Sequence, residues 1–175
     1  MTTTVRPVSL DDVAELTRLV RANREFLAPW EPVRDEEFFT EDAQRELIRA
    51  ALDSPASGPH VIELDGRIVG RINLNSIVRG PFQSSSLGYW VSQDVNGRGV
   101  ATAAVAGMLR IAFGQFGLHR VEAGTLVHNT GSQRVLERNG FERFGLAPRY
   151  LAIAGQWQDH ILFQQLNEER TPDTA

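Results

Sequence analysis

A strand–helix–strand succession in the second half of the chain constrains the fold most. Leu87–Val91 predicts a strand, the alanine-rich segment Val100–Phe116 predicts a long helix, and Val121–Val127 predicts another strand. Two strands that are joined through a helix are typically parallel to each other in one sheet. The long helix is apolar on almost every side, which predicts that it is buried. A second helix follows over Thr130–Arg138, and Gly140 is suited to end it.

Elsewhere the signals are those of antiparallel strands. Asp65-Gly66 separates two apolar runs, His60–Leu64 and Ile68–Ile77, and Asp-Gly in that setting is the strongest short signal for a hairpin. Ser9 with Asp12 has the spacing of a capping box. The other predicted elements are an edge strand, two helices, one strand and a closing strand pair: Thr4–Val8, Ser9 to about Arg24, Thr40–Leu52, Leu87–Val91, Phe144–Ile153 and Ile161–Leu166.

This order of elements predicts a mixed α/β sheet of the α+β type. The prolines Pro29 and Pro32 break the first helix, because proline blocks helix continuation. The length suits one domain over residues 1–175. The polar end from about Glu168 predicts a frayed tail.

Composition excludes several classes of protein. The chain has no cysteine, which rules out disulfides, a thiolate nucleophile and Cys-ligated metals. The four histidines lack metal-ligand spacing, so no metal is expected. A formal charge of −4 argues against direct nucleic-acid binding. No secretory signal or bilayer-spanning apolar run is present, which predicts a cytoplasmic protein without a membrane partner.

Two segments that open helices carry candidate chemistry. Asn96–Thr102 holds Gly97 and Gly99 before the long helix, where free amides and the helix dipole favour a phosphate. The alternative is a tight turn without a ligand, since short glycine motifs are common. Asn129 and Ser132 open the next helix, where capping alone is the simpler explanation. Parallel neighbouring strands would place both helix starts at one sheet edge, which favours a ligand site.

These segments resemble a known enzyme family. Gly97–Thr102 resembles the acyl-CoA loop of the GNAT N-acetyltransferases, and Asn129-x-x-Ser132 with Leu136–Phe141 resembles their second signature. Four further segments are similar to the RimJ/RimL branch of that family, and most of all to its RimJ type: Phe26–Asp35, Val78–Phe82, Leu87–Tyr89 and Gly155–His160. The resemblance extends over nearly the whole chain.

The resemblance implies a GNAT fold, a mostly antiparallel splayed sheet with acetyl-CoA in the splay as cosubstrate. It implies direct acetyl transfer to the N-terminal amine of a ribosomal protein, with alanine as the expected residue. Ser132 would protonate the departing thiolate. The residues expected to bind the cofactor are Val91, Arg98, Gly99, Val100, Ala101, Thr102 and Asn129. Trp30 and Tyr89 are the expected acceptor contacts, although single aromatic residues are more often core.

The general base is not evident from the sequence. Many relatives have Glu two residues before the Gly-Tyr pair, or on the penultimate strand, where this chain has Ser86 and Leu151. Asn96 also replaces the usual Gln or Arg of the loop. Glu122 is a candidate proton relay, with a surface carboxylate as the simpler explanation. An α-amine, with a pKa of about 7.7–8.0 against about 10.4 for lysine, has less need of a strong base.

Two other functions stay open at this point. One is an acetyltransferase for small amines such as polyamines or antibiotics, which would need a narrow acidic pocket. The other is a ribosome-associated factor that holds acyl-CoA without catalysis, against which the intact Asn129, Ser132 and glycine loop argue. Assembly into a homodimer is left open as well.

Overall fold

A computed structural model of the protein describes residues 1–171, and within that range the strands form one seven-stranded sheet. The strands, in chain order, are β1 (Thr3–Pro7), β2 (Gly58–Leu64), β3 (Arg67–Val78), β4 (Ser84–Val91), β5 (Arg120–Leu126), β6 (Glu142–Ile153) and β7 (Gln156–Leu166). Their spatial order is β1-β2-β3-β4-β5-β7-β6. The predicted mixed, mostly antiparallel α/β fold is confirmed.

The neighbours β4 and β5 are parallel and are paired over a very short distance. Only Ser84–Ser86 pairs with Arg120–Glu122, whereas every other neighbouring pair in the described sheet is antiparallel. Beyond Ser86 and Glu122 the two strands separate. The sheet is therefore splayed at its middle, as expected.

Two of the antiparallel strand pairs are joined by tight turns whose residues have positive φ. Asp65 and Gly66, between β2 and β3, have φ of +50° and +82°. Ala154 and Gly155, between β6 and β7, have φ of +49° and +80°. Two successive residues with positive φ form the turn whose twist matches that of a hairpin. The Asp65-Gly66 hairpin is thus confirmed, and the closing turn is shorter than the sequence suggested because Gln156 and Trp157 already belong to β7.

Five α-helices, α1 to α5, cover the two faces of the described sheet, with bounds Val13–Ala22, Arg24–Leu27, Glu41–Asp53, Val100–Arg110 and Thr130–Arg138. The larger core joins α4 and α5 to one face through residues such as Ile72, Leu87, Met108 and Leu136. A smaller core joins α1 and α3 to the other face through Leu16, Leu19, Ile48 and Val61. Apolar burial on both faces is what holds the sheet between its helices.

Three helix predictions needed correction. The first helix, predicted to end at about Arg24, is interrupted at Asn23 and resumes as the short α2, which ends at Leu27, two residues before Pro29. The helix predicted over Val100–Phe116 is α-helical only to Arg110 and continues as a π-helical turn to Gln115. It is also not buried all round, because Ala103 is exposed. The α5 bounds and the left-handed Gly140, at φ +78°, match the prediction.

Within residues 1–171 no helix is both long and apolar enough to cross a bilayer. Within the segment predicted to be a frayed tail, the Arg170 backbone N–H donates to the Asn167 carbonyl oxygen at 3.1 Å and forms a turn. The last part, residues 172–175, lies outside the described residues.

The predicted capping box at Ser9 is part of a larger polar network. Asp12 accepts hydrogen bonds from the Ser9 N–H at 2.8 Å and from Arg6 Nη1 and Nη2 at 2.8 and 2.9 Å. Arg6 also donates to Glu63 Oε1 at 2.8 Å, which ties β1 to β2. The Arg6 guanidinium holds the pKa of the Asp12 carboxyl below its usual range.

This network predicts a pH-dependent loss of stability in Asp12→Asn. A carboxyl whose pKa is lowered by folding stabilises the protein above its unfolded pKa, and that contribution disappears as pH falls through the folded pKa. We expect the variant to lose about 1–2 kcal/mol of unfolding free energy at neutral pH. Urea unfolding at several pH values measures this difference. It should shrink below about pH 4, and a difference independent of pH would contradict the assignment.

Candidate active site

The separation of β4 and β5 leaves a gap lined by backbone polar groups. Leu87–Val91 is bonded to β3 on one side, and Ala123–Leu126 is bonded to β7 on one side, but neither is bonded to the other. Unpaired backbone N–H and C=O groups need partners from water or a ligand. A ligand with amide groups of its own, inserted between the strands, would satisfy both edges.

The glycine loop lies at the end of β4 and opens α4. Gly97 and Gly99 have φ of +75° and +81°, a conformation that favours glycine, and Gly99 is the N-cap residue without a side-chain cap. A Cβ added at either glycine would meet nothing within 4 Å, so the space in front of the loop is open. The first amides of α4 and the positive end of its dipole face that space. An anion such as a phosphate fits there.

The other predicted cofactor residues surround this loop. Val91 ends β4 and is buried. Val100 is buried, while Ala101 and Thr102 in the same first turn of α4 are half-buried. Arg98 is exposed, and its Nη2 lies 3.1 Å from Met1 Sδ.

The start of α5 brings together three polar side chains beside the gap. Asn129 Oδ1 accepts the Ser132 N–H at 3.0 Å, which makes Asn129 the predicted N-cap. The Ser132 hydroxyl lies 2.8 Å from the Tyr89 hydroxyl of β4, so a hydrogen bond spans the gap between the two strand–helix units. In the described chain the Asn129 amide N–H groups donate to no protein acceptor, which leaves them for a ligand.

Burial determines the protonation state of the Tyr89 hydroxyl. Burial raises the pKa of Tyr89 to about 12, and the hydrogen bond with Ser132 opposes part of that rise. Tyr89 is therefore a neutral phenol at physiological pH. It faces the core on the α4 and α5 side, so its predicted contact with an acceptor stays a prediction.

The opposite face of the gap carries a row of polar side chains on β3. Arg71, Asn73 and Asn75 alternate with Ile72 and Leu74, which point into the larger core. Arg71 stands opposite Trp90 of β4, and Trp90 packs against the smaller core under α1 and α3. The row thus lies on the face opposite the starts of α4 and α5.

The segment after α2 closes one side of this polar face. The Trp30 ring lies 5.6 Å from the ring of His128, which directly precedes Asn129. The Glu31 carbonyl accepts the Ala154 N–H of the β6–β7 turn at 2.9 Å. The predicted substrate contact Trp30 therefore lies between the end of β5 and the closing hairpin, and it is 37% exposed.

Two oppositely charged residues on this face influence each other without forming an ion pair. Burial raises the pKa of the Glu31 carboxyl, and Arg34 and Arg71 oppose that rise. Burial lowers the pKa of the Arg71 guanidinium, and Glu31 opposes that change. Within the described residues, neither the Glu31 nor the Arg71 side chain lies within 4 Å of an oppositely charged group.

Glu122 lies where the two strands begin to separate. It is the residue of β5 that pairs with Ser86, the position at which many related sequences have Glu. Its Oε1 accepts a 2.6 Å hydrogen bond from Arg120 Nε, and the pair is partly exposed. One carboxylate oxygen is thereby engaged. Leu151, the other such position, lies on the edge strand β6 and is exposed.

Comparison with known proteins decides the family. The family described as acetyltransferase (GNAT) domain matches residues 3–142. The chain belongs to the GNAT acetyltransferases. It is 34% identical over 170 residues to a probable N-acetyltransferase, YjcK, of Bacillus subtilis, which covers 94% of each chain.

Two relatives of this GNAT enzyme carry more specific names. The [ribosomal protein uS5]-alanine N-acetyltransferase of Escherichia coli is 34% identical over 173 residues, covering 96% of this chain and 89% of that one. The structure of Mycobacterium smegmatis RimJ in complex with CoA-disulfide superposes with a TM-score of 0.90 at 36% identity, covering 95% of this chain and 83% of that one. The chain is an acyl-CoA-dependent N-acetyltransferase with RimJ relatives.

Three residues that the structure places around the gap were not singled out as site residues from the sequence. Arg71 lay inside an apolar run, where its alternation with Asn73 and Asn75 was the available signal. Glu31 was expected only to add negative charge near the Trp30 loop, where it would favour basic peptides. Asn23 gave no signal, yet its Oδ1 accepts the Gln93 N–H at 2.8 Å and so ties the end of α1 to the segment leading into the glycine loop.

Proposed function

We propose that this enzyme transfers the acetyl group of acetyl-CoA to the N-terminal α-amine of a protein, with alanine first and a ribosomal protein as the expected acceptor. The observation that carries the proposal is a gap in the sheet with helix N-termini on one face and an open polar face on the other. The donor can enter from the first face and a chain end from the second. The names of the E. coli and M. smegmatis relatives support that acceptor.

The donor side offers a partner for each part of acetyl-CoA, the acyl donor of GNAT acetyltransferases. The amides of Gly99 to Thr102 would bind the pyrophosphate, helped by Arg98. The unpaired edges of β4, up to Val91, and of β5 would bond the pantetheine amides, and Asn129 would donate to the same arm. The thioester would then reach the region of Tyr89 and Ser132.

Ser132 is placed to act on the leaving group. The amine must attack as the free base, forming the C–N bond as the C–S bond breaks, and the sulfur leaves as a thiolate. The Ser132 hydroxyl would give its proton to that sulfur while Tyr89, 2.8 Å away, holds the hydroxyl in place. Glu122 is proposed as a relay for the amine's proton through its free oxygen.

The acceptor face disfavours a polyamine. A polyamine site would need several acidic groups in a narrow pocket, but here the cation Arg71 stands on the face. An N-terminal acceptor carries one positive charge followed by backbone oxygens, which tolerates a nearby cation. The expected location, the cytoplasm, agrees with a ribosomal acceptor. Homodimer formation stays a prediction.

The first test concerns the glycine loop. We expect Gly99→Val to weaken acetyl-CoA binding strongly, because the side chain would fill the space in front of the amides. Gly66→Val is the matched control, since Gly66 has a nearly equal φ of +82° and equally open surroundings in the β2–β3 turn. Calorimetry should show weakened binding in Gly99→Val alone. Equal affinity in both variants, each folded, would contradict the assignment.

The second test separates catalysis by Ser132 from its structural role. In Ser132→Ala we expect kcat to fall at least about tenfold, the low end for a positioned acid, with little change in acetyl-CoA affinity. Tyr89→Phe removes the same hydrogen bond but keeps the Ser132 hydroxyl, so its kcat should fall less. If both variants lose only about 1 kcal/mol of stability and keep kcat, the serine is structural.

The third test concerns the acceptor. Thiol release should be fast with an alanine-led peptide, and slow with the same peptide blocked at its N-terminus but carrying lysine. Spermidine should be a poor acceptor. Faster turnover of spermidine or of the lysine peptide would replace the proposed function with acetylation of side-chain or small-molecule amines.

A further inference from the structure

We propose that Glu31 and Arg71 together recognise the end of the acceptor chain. Glu31 binds the α-ammonium group and takes its proton, and Arg71 donates a hydrogen bond to the first carbonyl oxygen. This inference rests on the proposed function, because it names the residues that would select an α-amine.

The fold fixes both residues on the acceptor side of the gap. Arg71 lies on β3 in the polar row opposite the donor face. Glu31 is held at its backbone by Ala154, and its neighbour Trp30 contacts His128 at the end of β5. Glu31 also lines a cavity of about 190 Å³ whose walls are mostly apolar, including Val20, Leu27 and Phe38.

Neither group has the partner that its burial calls for. Arg71 Nε is buried and donates to no acceptor within the described chain. Glu31 is half-buried, and in the same part of the structure it has no ion-pair partner. A buried donor without an acceptor is costly, and such groups are uncommon unless a ligand or water completes them. A bound ligand carrying a cation and an oxygen acceptor would complete both.

A chain end is the amine that offers both groups together. Its ammonium nitrogen and its first carbonyl group are separated by one tetrahedral carbon, so both can be bonded within one small site. A lysine side chain carries its ammonium four methylenes from the backbone, and a polyamine has no oxygen. The pair would therefore select α-amines by chemistry rather than by pocket shape alone.

The α-ammonium gives one proton to the Glu31 carboxylate, which later releases it to solvent, and the amine lone pair forms the C–N bond. As the C–S bond breaks, the nitrogen gives its second proton to solvent through the Glu122 relay. Ser132 gives its hydroxyl proton to the thiolate and regains one from solvent. One proton is released per turnover, as acetylation of an ammonium requires.

The groups around Glu31 set the pH dependence. Arg34 of the same segment and Arg71 of β3 favour its ionised form, and Arg24 of α2 lines the same cavity but is paired with Glu36. If Glu31 takes the proton from a bound ammonium, kcat/KM rises through the Glu31 pKa and levels off before the amine pKa of about 7.7–8.0. Without Glu31 the enzyme can use only acceptor molecules whose amine is already neutral. In that case kcat/KM keeps rising with pH until the pH reaches the amine pKa.

Glu31→Gln tests the proton transfer with an alanine-led peptide as acceptor. We expect kcat/KM to fall about 100-fold near pH 6.5 and less than about tenfold near pH 9. Glu37→Gln is the matched control, since Glu37 is an exposed carboxylate of the same segment, and it should keep the wild-type profile. An unchanged profile in Glu31→Gln would overturn the proposal, and the same profile change in Glu122→Gln alone would transfer the role to Glu122.

Arg71→Met tests the second contact and covers the case in which Glu31→Gln fails to fold. Removal of the Arg71 guanidinium should reduce the preference for an alanyl peptide over isopropylamine at least about tenfold, because isopropylamine has no carbonyl oxygen for Arg71 to bind. The acidic limb of the profile should also move to higher pH, since a cation that favours ionised Glu31 is gone. An unchanged preference together with an unchanged limb would overturn the role of Arg71.

These outcomes are separate from failure of the proposed function. If the wild-type enzyme acetylates only lysine or spermidine, the proposed function fails and this inference fails with it. If it acetylates the α-amine while both variants keep wild-type profiles and acetyl-CoA affinity, only this inference fails.

Discussion

The short parallel contact between β4 and β5 is the constraint on which the site depends. Three residue pairs hold the strands together, after which each strand keeps a partner on its outer side only. The strands can separate without unfolding because the larger core, on one face of the sheet, continues across β3, β4, β5 and β7. On the other face the smaller core reaches β3 and Trp90 of β4. Both helices that follow these strands consequently start beside one gap. The glycine loop and the Asn129-capped helix lie side by side for that reason.

The two faces of the gap differ in their electrostatics, and the difference matches the chemistry. The donor face presents helix amides and the neutral hydroxyls of Tyr89 and Ser132, which suit phosphates and a departing thiolate. The acceptor face presents Arg71 and Glu31, both partly desolvated and not paired with each other. Such an arrangement costs stability in the free enzyme, and groups of this kind are typically found where a ligand binds.

Local signals predicted most of the fold. The Asp65-Gly66 hairpin, the capping box at Ser9 and the bounds of α5 depend on residues close together in the chain, so the sequence contained them. The order of elements and the parallel pair followed from the same patterns. The gap and the GNAT fold came from the resemblance to the family. The glycine loop was a candidate phosphate site from its own residues, and the resemblance supplied acyl-CoA as its ligand. The break after α1 and the π-helical turn after α4 depend on packing between distant segments, which a single sequence does not show.

The acceptor side was least visible in the sequence. Arg71 and Glu31 are far apart in the chain, and each has an ordinary local explanation, a polar position on a strand and an acidic residue in a loop. Only the register of β3 and the contacts of Trp30 and Ala154 place them on one face. Glu122 was visible in the sequence as a candidate relay or a surface carboxylate, but its hydrogen bond from Arg120 was not.

A crystal structure with a bisubstrate analogue, coenzyme A joined through an acetyl linker to the α-nitrogen of an alanine-led peptide, tests this account most directly. We predict that the pyrophosphate contacts the amides of Gly99 to Thr102, that the pantetheine arm passes between β4 and β5, and that the peptide leaves on the face of Arg71. A peptide that leaves on the α4 and α5 face, or a pantetheine arm that does not enter the gap, would contradict the account.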